Sequence, residues 1–209
     1  MISHEHKFIF IHIPKTGGTS VENALQPFAK NGFPFGKHHS LKRAHEDDSI
    51  SEDYFSFSFV RNPWSLCVSL YHWTWECNSA WPKTWRSKKE TQEFVNLTFA
   101  EWIKHPYFHS ESPRVFPLPL KFPSGKEGTC SDWLTAENKE VDFVGKFENL
   151  QEDFDIICDR IGIPQKQLPH KNKTDHVHYS EYYKDDEIRD IVSEKYSDYI
   201  ERFGYEFGE

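Results

Sequence analysis

Phe8–Ser20 reads FIFIHIPKTGGTS. An apolar, β-rich run halts at Pro14, and Lys15, Thr16, Gly17, Gly18, Thr19 and Ser20 follow without a gap. A helical pattern then opens with Val21, Ala24, Leu25 and Phe28. A strand, a glycine turn and a helix N-terminus in that order make an anion site, because backbone N–H groups and the positive end of the helix dipole point at one spot. Gly17 and Gly18 let the backbone approach a phosphate closely, and the three hydroxyls add donors. Lys15 supplies the one full charge. The stretch therefore predicts an α/β unit and a phosphate-ester ligand.

The order of residues narrows that ligand. A Walker A loop, G-x-x-x-x-G-K-[ST], places its lysine after the glycines. Here Lys15 precedes them and the first glycine of that pattern is missing, so the loop is not a standard nucleoside-triphosphate cradle. It resembles the 5′-phosphosulfate loop of sulfotransferases that use 3′-phosphoadenosine 5′-phosphosulfate (PAPS), P-K-[ST]-G-[GT]-[TS]. The blander alternative is an ordinary strand-to-helix turn in which Thr19 or Ser20 caps the helix.

Phe55–Tyr71, FSFSFVRNPWSLCVSLY, carries a second such unit. Phe55, Phe57 and Phe59 alternate with Ser56 and Ser58, and Val60 ends the expected strand. Pro63 suits the first turn of a helix that continues through Leu66, Val68, Leu70 and Tyr71. Open α/β sheets bind ligands beyond the carboxyl ends of their strands, so Arg61 is expected to face the same crevice as the first loop. Ser69 lies about two helical turns further and can line it too. The segment resembles the 3′-phosphate motif of the same enzymes, R-N-P-x-x-x-x-x-S-x-Y. The planar fork of an arginine suits a phosphate monoester. Taken alone, Arg61 reads as a surface ion pair; two motifs in this order, each after a strand, are hard to obtain by chance.

Val141–Ile163 reads as a short strand and an amphipathic helix (Leu150, Phe154, Ile157, Cys158, Ile161) ended by Gly162 and Pro164. LPHKNKT (Leu168–Thr174) and a terminal helix to Phe203-Gly204-Tyr205 follow. This layout is similar to the carbohydrate-sulfotransferase branch that includes heparan sulfate 2-O-sulfotransferase, over residues 6–73 and 140–207. The resemblance implies a P-loop-like three-layer α/β fold with a central, mainly parallel sheet flanked by helices. It implies PAPS as co-substrate and no metal. Thr16, Gly17, Gly18, Thr19 and Ser20 would hold the 5′-phosphosulfate with Lys15, and Arg61 with Ser69 the 3′-phosphate. In related enzymes a late loop closes over the nucleotide, and Lys171 or Lys173 would then assist the 3′-phosphate; a charged surface loop is the competing reading. The R-K-G-x-x-G pattern of the cytosolic hormone and phenol sulfotransferases is missing there, which argues against that branch.

Sulfuryl transfer needs an in-line approach of an acceptor hydroxyl to sulfur, with charge growing on the leaving phosphate. Phosphoryl transfer is the nearest analogue, where positioning and charge stabilisation dominate. Lys15 is placed to neutralise the departing phosphate. The hydroxyl needs a general base, and histidine titrates in the useful range. Among 12 histidines, Gly36-Lys37-His38-His39-Ser40-Leu41 is similar to the K-H-x-[ST]-[AL] stretch that contributes the base in this family. On that alignment His38 is the base and His39 the shifted-register alternative. His12 reads as a buried, hydrogen-bonded strand histidine.

A chain of 209 residues suffices for one sizeable core and is expected to form a single domain, residues 1–209. No apolar run approaches the roughly 20 residues of a membrane span, and Phe8–Ile13 is too short for a signal-peptide core, so a cytoplasmic protein without a membrane span is expected. A net charge of −8 weighs against nucleic acid or a highly sulfated polymer as partner. Lys15, Lys37, Lys42, Arg43 and Arg61 nevertheless concentrate positive charge near the expected site. Of four cysteines, Cys67 and Cys158 fall on apolar helical faces as core residues, and a Cys77–Cys130 pair stays open. Residues 74–138 form a variable, Trp-rich, acceptor-side region. Trp81 and Trp85 there have the faces that stack on sugar rings, whereas Trp102 with Phe99 and Ile103 has core-facing helical spacing. Pro106–Gly128 is expected to be irregular loop. The expected partner is a hydroxyl-bearing acceptor, a saccharide or glycoconjugate, with oligomeric state open. The competing functions are a small P-loop kinase, which would need a lysine after the glycines and an acidic magnesium ligand, and a non-catalytic carbohydrate-binding protein on the same fold.

Overall fold

The two aromatic runs pair with each other. The computed structural model describes residues 1–30, 38–80, 97–105, 133–137, 139–169 and 177–209, with the backbone alone for 74–80. Lys37, Trp81, Trp85, the Pro106–Gly128 loop, Cys130, Lys171 and Lys173 lie outside the described residues. A four-stranded sheet runs in the order β1 (Ile2–Ser3), β2 (Phe8–Ile11), β3 (Phe55–Val60) and β6 (Phe143–Lys146). The β2, β3 and β6 strands are parallel, and β1 is the antiparallel edge. Phe8 lies opposite Phe55 and Phe10 opposite Phe57; Phe59 lies opposite Gly145. A short antiparallel pair, β4 (Thr135–Ala136) with β5 (Lys139–Glu140), stands apart from this sheet.

The alternation in β3 suggested one apolar and one polar face. Both faces are in fact buried, as is usual for a strand inside a parallel sheet, where packed layers cover the strand above and below. The serines survive there because their hydroxyls are satisfied. Ser58 Oγ donates to the Ile11 carbonyl at 2.7 Å. Ser56 Oγ donates to Asp142 Oδ2 at 2.7 Å and accepts from the Asp142 amide. Unmet, such groups would carry a desolvation cost of about 1–3 kcal/mol each.

The described residues group into two compact units, Met1–Arg61 with Phe122–Lys173, and Asn62–Lys121 with Thr174–Glu209. In the first, α1 (Gly18–Leu25) and α5 (Leu150–Ile161) lie on one face of the sheet. Val21, Ala24 and Leu25 from α1, and Phe154, Ile157, Cys158 and Ile161 from α5, close over Phe8, Phe10, Phe57 and Phe59. Each fully buried phenylalanine contributes about 1.5–3 kcal/mol relative to exposure. Gly162, at φ 70, ends α5 in the left-handed turn the sequence predicted. A third helix of this unit, α2 (Leu41–Ala44), is capped by Ser40, whose hydroxyl accepts from the Arg43 amide.

The second unit is helical: α3 (Pro63–Ala80), α4 (Phe99–Lys104), α6 (Asp186–Lys195) and α7 (Ser197–Phe203). The α3 helix runs on past Tyr71. The Phe99–Trp102–Ile103 spacing does place all three inside, under a capping box made by Thr98 and Glu101. Cys67 is fully buried, which pushes its thiol up to about 12 and makes it an inert core residue. The expected single terminal helix is two, broken at Tyr196. No described helix is long and apolar enough to cross a membrane.

Candidate active site

The β2 strand ends at Ile11, and the next residues set the site. Lys15 adopts φ 67, a left-handed conformation that costs a residue with a Cβ about 1–2 kcal/mol. Gly17 follows at φ 81. Two left-handed residues in three fold the chain back on itself, a turn of the kind that gathers backbone amides around an anion. Thr16 is buried, and its hydroxyl donates to the Ile13 carbonyl at 2.8 Å, pinning the turn from within. Gly17 is the N-cap of α1, and no side chain caps that helix. Its carbonyl receives the amides of Ser20 at 2.9 Å and Val21 at 3.4 Å. The Thr19 carbonyl accepts from Asn23 Nδ2.

Close approach requires glycine at 18, and the positive φ favours it at 17. A Cβ at Gly18 would stand 2.2 Å from His12 Cδ2, and one at Gly17 would stand 2.7 Å from Leu150 Cδ2. Phe147, just after β6, also flanks Gly17, and its ring carries the Arg61 guanidinium 4.1 Å above the ring centre. Arg61 Nη1 donates to the Lys15 carbonyl at 3.2 Å. The arginine that ends β3 is thus joined to the loop that follows β2, as the shared-crevice expectation required. Phe147 went unnoticed in the sequence, since one aromatic after a strand carries no signal until its neighbours are known.

His38 sits half-buried beside this loop. Its Nδ1 lies 3.0 Å from the His12 carbonyl. A carbonyl only accepts, so Nδ1 carries the hydrogen and Nε2 is the basic nitrogen of the neutral ring. The His12 and His38 rings are 4.4 Å apart at 60°. His12 stacks in turn on Phe10, and Phe10 on Phe57, so an aromatic ladder runs from the core to the site. His12 is buried and hydrogen-bonded, as its strand position predicted: Nδ1 donates to Glu22 Oε1 at 2.6 Å. Glu22 was passed over in the sequence. The available signal was a carboxylate beside Val21 on a helix face that packs inward.

His39 occupies a different environment. It is 3% exposed, with Nε2 3.2 Å from the Met1 backbone nitrogen and Nδ1 3.4 Å from the Ser40 carbonyl. Burial above all, aided by neighbouring positive charge, lowers its pKa to about 4. Ser20 is buried in the first turn of α1, and Ser69 is buried on α3 in the second unit. The first unit therefore brings together Lys15, Thr16, Gly17, Gly18, Thr19, Ser20, His38, His39 and Arg61. Ser69 belongs to the other unit, and Lys171 lies outside the described residues. Among the described residues, no group of three or more His, Cys, Asp or Glu side chains is placed to hold a metal ion.

Known proteins bear on this arrangement. An uncharacterized protein of Archaeoglobus fulgidus is 29% identical over 117 residues, covering 56% of this chain and 75% of that protein. Carbohydrate sulfotransferase 14 of Danio rerio is 22% identical over 195 residues, covering 79% of this chain. The match takes in 48% of the zebrafish protein, so the chain spans about half of its length. No solved structure matches. The Sulfotransferase family matches from residue 1 to residue 206, which is nearly the whole chain, and the chain belongs to that family.

Proposed function

We propose that this chain transfers a sulfuryl group from PAPS to a hydroxyl of a saccharide or glycoconjugate. In this reading the fold is P-loop-like, and the Lys15–Ser20 turn takes the 5′-phosphosulfate. Arg61 takes the 3′-phosphate, joined by Ser69 on the strength of the shared motif and by Lys171 from the late loop. The acceptor oxygen attacks sulfur in line as the bond from sulfur to the phosphate oxygen breaks. The hydroxyl proton passes to His38 Nε2, and the electron pair of the broken bond stays on the departing phosphate, where Lys15 opposes the growing charge.

One observation carries the reading. His38 holds its Nδ1–H on the His12 carbonyl, while Arg61 reaches the Lys15 carbonyl three residues later. A base in a defined tautomer and a forked cation thus meet on one short turn. His39 fits the base role less well: its ring is buried, and its low pKa makes it a weak proton acceptor. The saccharide acceptor is supported by the name of the zebrafish relative. Net charge −8 favours an acceptor that is not heavily sulfated.

Isothermal titration with 3′-phosphoadenosine 5′-phosphate (PAP), beside ATP with magnesium and 5′-AMP, tests the donor. Tight, metal-independent binding that needs the 3′-phosphate is expected. A preference for magnesium ATP would instead favour a kinase. A screen of unsulfated and desulfated oligosaccharides with labelled PAPS then tests the acceptor, with label transfer expected from the wild-type chain and none from His38→Ala.

A further inference from the structure

We propose that Glu22, acting through the His12 ring, is a positioning residue that sets the basicity of His38 and the path of the glycine loop. The idea rests on the reading of His38 as the base. Both members of the pair are buried, at 7% and 3% exposure, and their contact is 2.6 Å. A buried carboxylate is costly unless its hydrogen bonds return the lost hydration, and a leucine at this inward-facing position of α1 would avoid that cost. What the carboxylate does accomplish is visible in its partner. The His12 ring meets Glu22 at Nδ1, fills the space that a side chain at Gly18 would need, and lies against the His38 ring. The His12 backbone carbonyl, meanwhile, receives His38 Nδ1–H. One residue thus touches the helix, the loop and the base, and Glu22 sets its ring.

The chemistry parallels the acid of a catalytic triad, which holds a histidine in the correct tautomer and steadies the imidazolium that forms. Here the carboxylate stands one imidazole further back. When His38 takes the acceptor proton, the new positive charge arises against a ring whose Nδ1 is bound to a carboxylate. The titratable and charged groups nearby are His12 after the strand end, Glu22 behind it on α1, the Met1 amino group, which burial lowers to about 5 and which feels the Glu22 charge, and His39 with Arg43 on the His38 segment. His39 is neutral down to about pH 4, so it contributes no charge near neutrality. Lys15 is the charged residue of the adjoining loop.

The decisive variant is Glu22→Gln, which keeps an oxygen for His12 Nδ1–H and removes only the charge. Two-bond proton–nitrogen NMR on histidine-labelled protein reads the ring states without any substrate. In the wild-type chain, His38 should show the Nδ1–H form; the Nε2–H form would overturn the proposal with no mutant needed. In Glu22→Gln, the midpoint of the His38 ring titration should move down by about half a pH unit or more, since a nearby negative charge favours the protonated ring. The acid limb of kcat against pH should shift by the same amount and the plateau kcat fall about fivefold, while the PAP dissociation constant stays within about twofold. Titration and rate curves that superimpose on the wild type would reduce Glu22 to packing. His38→Ala separates the two ideas. If that variant keeps full turnover, the base assignment fails, whatever the NMR of Glu22→Gln shows. If it is inactive and Glu22→Gln is unchanged, only the positioning role fails.

Discussion

Two helices follow neighbouring parallel strands, and their N-termini are finished in opposite ways. The α3 helix closes its own end. Pro63 has no N–H to satisfy, Asn62 Oδ1 accepts from Trp64 N at 3.1 Å and Ser65 N at 3.2 Å, and Leu66 N reaches the Asn62 carbonyl at 2.8 Å. The first three helical residues thus leave no amide unmet, and the ordinary helix ladder begins at Leu66. The α1 helix has no side-chain cap, and its N-cap is a left-handed glycine rather than an asparagine. An oxyanion suits the second kind of end and is redundant at the first. The difference divides labour between the two motifs. In the proposed reading, the turn before α1 would offer backbone to an anion, whereas R-N-P would offer the Arg61 fork and keep its asparagine and proline for building a helix.

The largest effect should come from removing the charge on the open end. Lys15→Ala is expected to lower kcat/KM about 10²–10³-fold, the scale of losing one group that stabilises transition-state charge. The melting temperature should stay within about 2 °C, because a surface substitution away from the core is nearly neutral. Lys15→Gly sharpens the point: it should be as inactive yet up to about 1 kcal/mol more stable, because glycine adopts φ 67 without strain. A destabilised Lys15→Gly in urea denaturation would mean that the left-handed turn is not strained.

Next comes the floor of the loop. Gly18→Ala places a methyl against the buried His12 ring and should lose about 1–3 kcal/mol in urea denaturation, with PAP binding weakened. Gly17→Ala meets the end of a leucine side chain, which can yield, so its penalty of about 1–2 kcal/mol should come chiefly from φ 81.

Arg61→Lys tests the other half of the comparison. It keeps the charge but loses the fork, the bond to the Lys15 carbonyl and the planar stack on Phe147. A weakening of PAP binding by about tenfold is expected, near 1.4 kcal/mol, with 5′-AMP affinity little changed. Equal losses for both nucleotides would move Arg61 away from the 3′-phosphate.

How much of this could be read in advance follows from the range of each signal. The loop, the β3 limits and the Gly162 stop are local: glycine, proline and β-branched or aromatic runs specify them within a few residues. The position of Arg61 at a strand end is local too. The role of Glu22 depends on a residue ten positions away, that of His38 on one 26 away, and that of Phe147 on Arg61 and Gly17 from two other segments. No periodicity encodes such pairings. The buried serines of β3 teach the same lesson, since alternation reports polarity, while the layers packed on the sheet decide burial. The edge strand β1, two residues long, is too short to leave any pattern.

The smallest effect is also the sharpest test of the division of labour. Asn62→Ala removes the cap and leaves the Trp64 and Ser65 amides of α3 without their acceptor. It also removes the Nδ2 donation to the Glu206 carbonyl at 3.1 Å. The expected loss is about 1–2 kcal/mol of stability, the range measured for N-caps. Asn62→Asp keeps the Oδ1 acceptor and adds a charge that favours the helix N-terminus, so it should recover part of the loss, offset by a buried carboxylate oxygen set against the Glu206 carbonyl. PAP affinity should change less than twofold in either variant, because the cap, not a phosphate, takes the Trp64 and Ser65 amides. If Asn62→Ala weakened PAP as much as Arg61→Lys, or if the negative charge of Asn62→Asp repelled it, the α3 terminus would belong to the anion site after all. The two helix ends would then differ in how they are capped without differing in what they do.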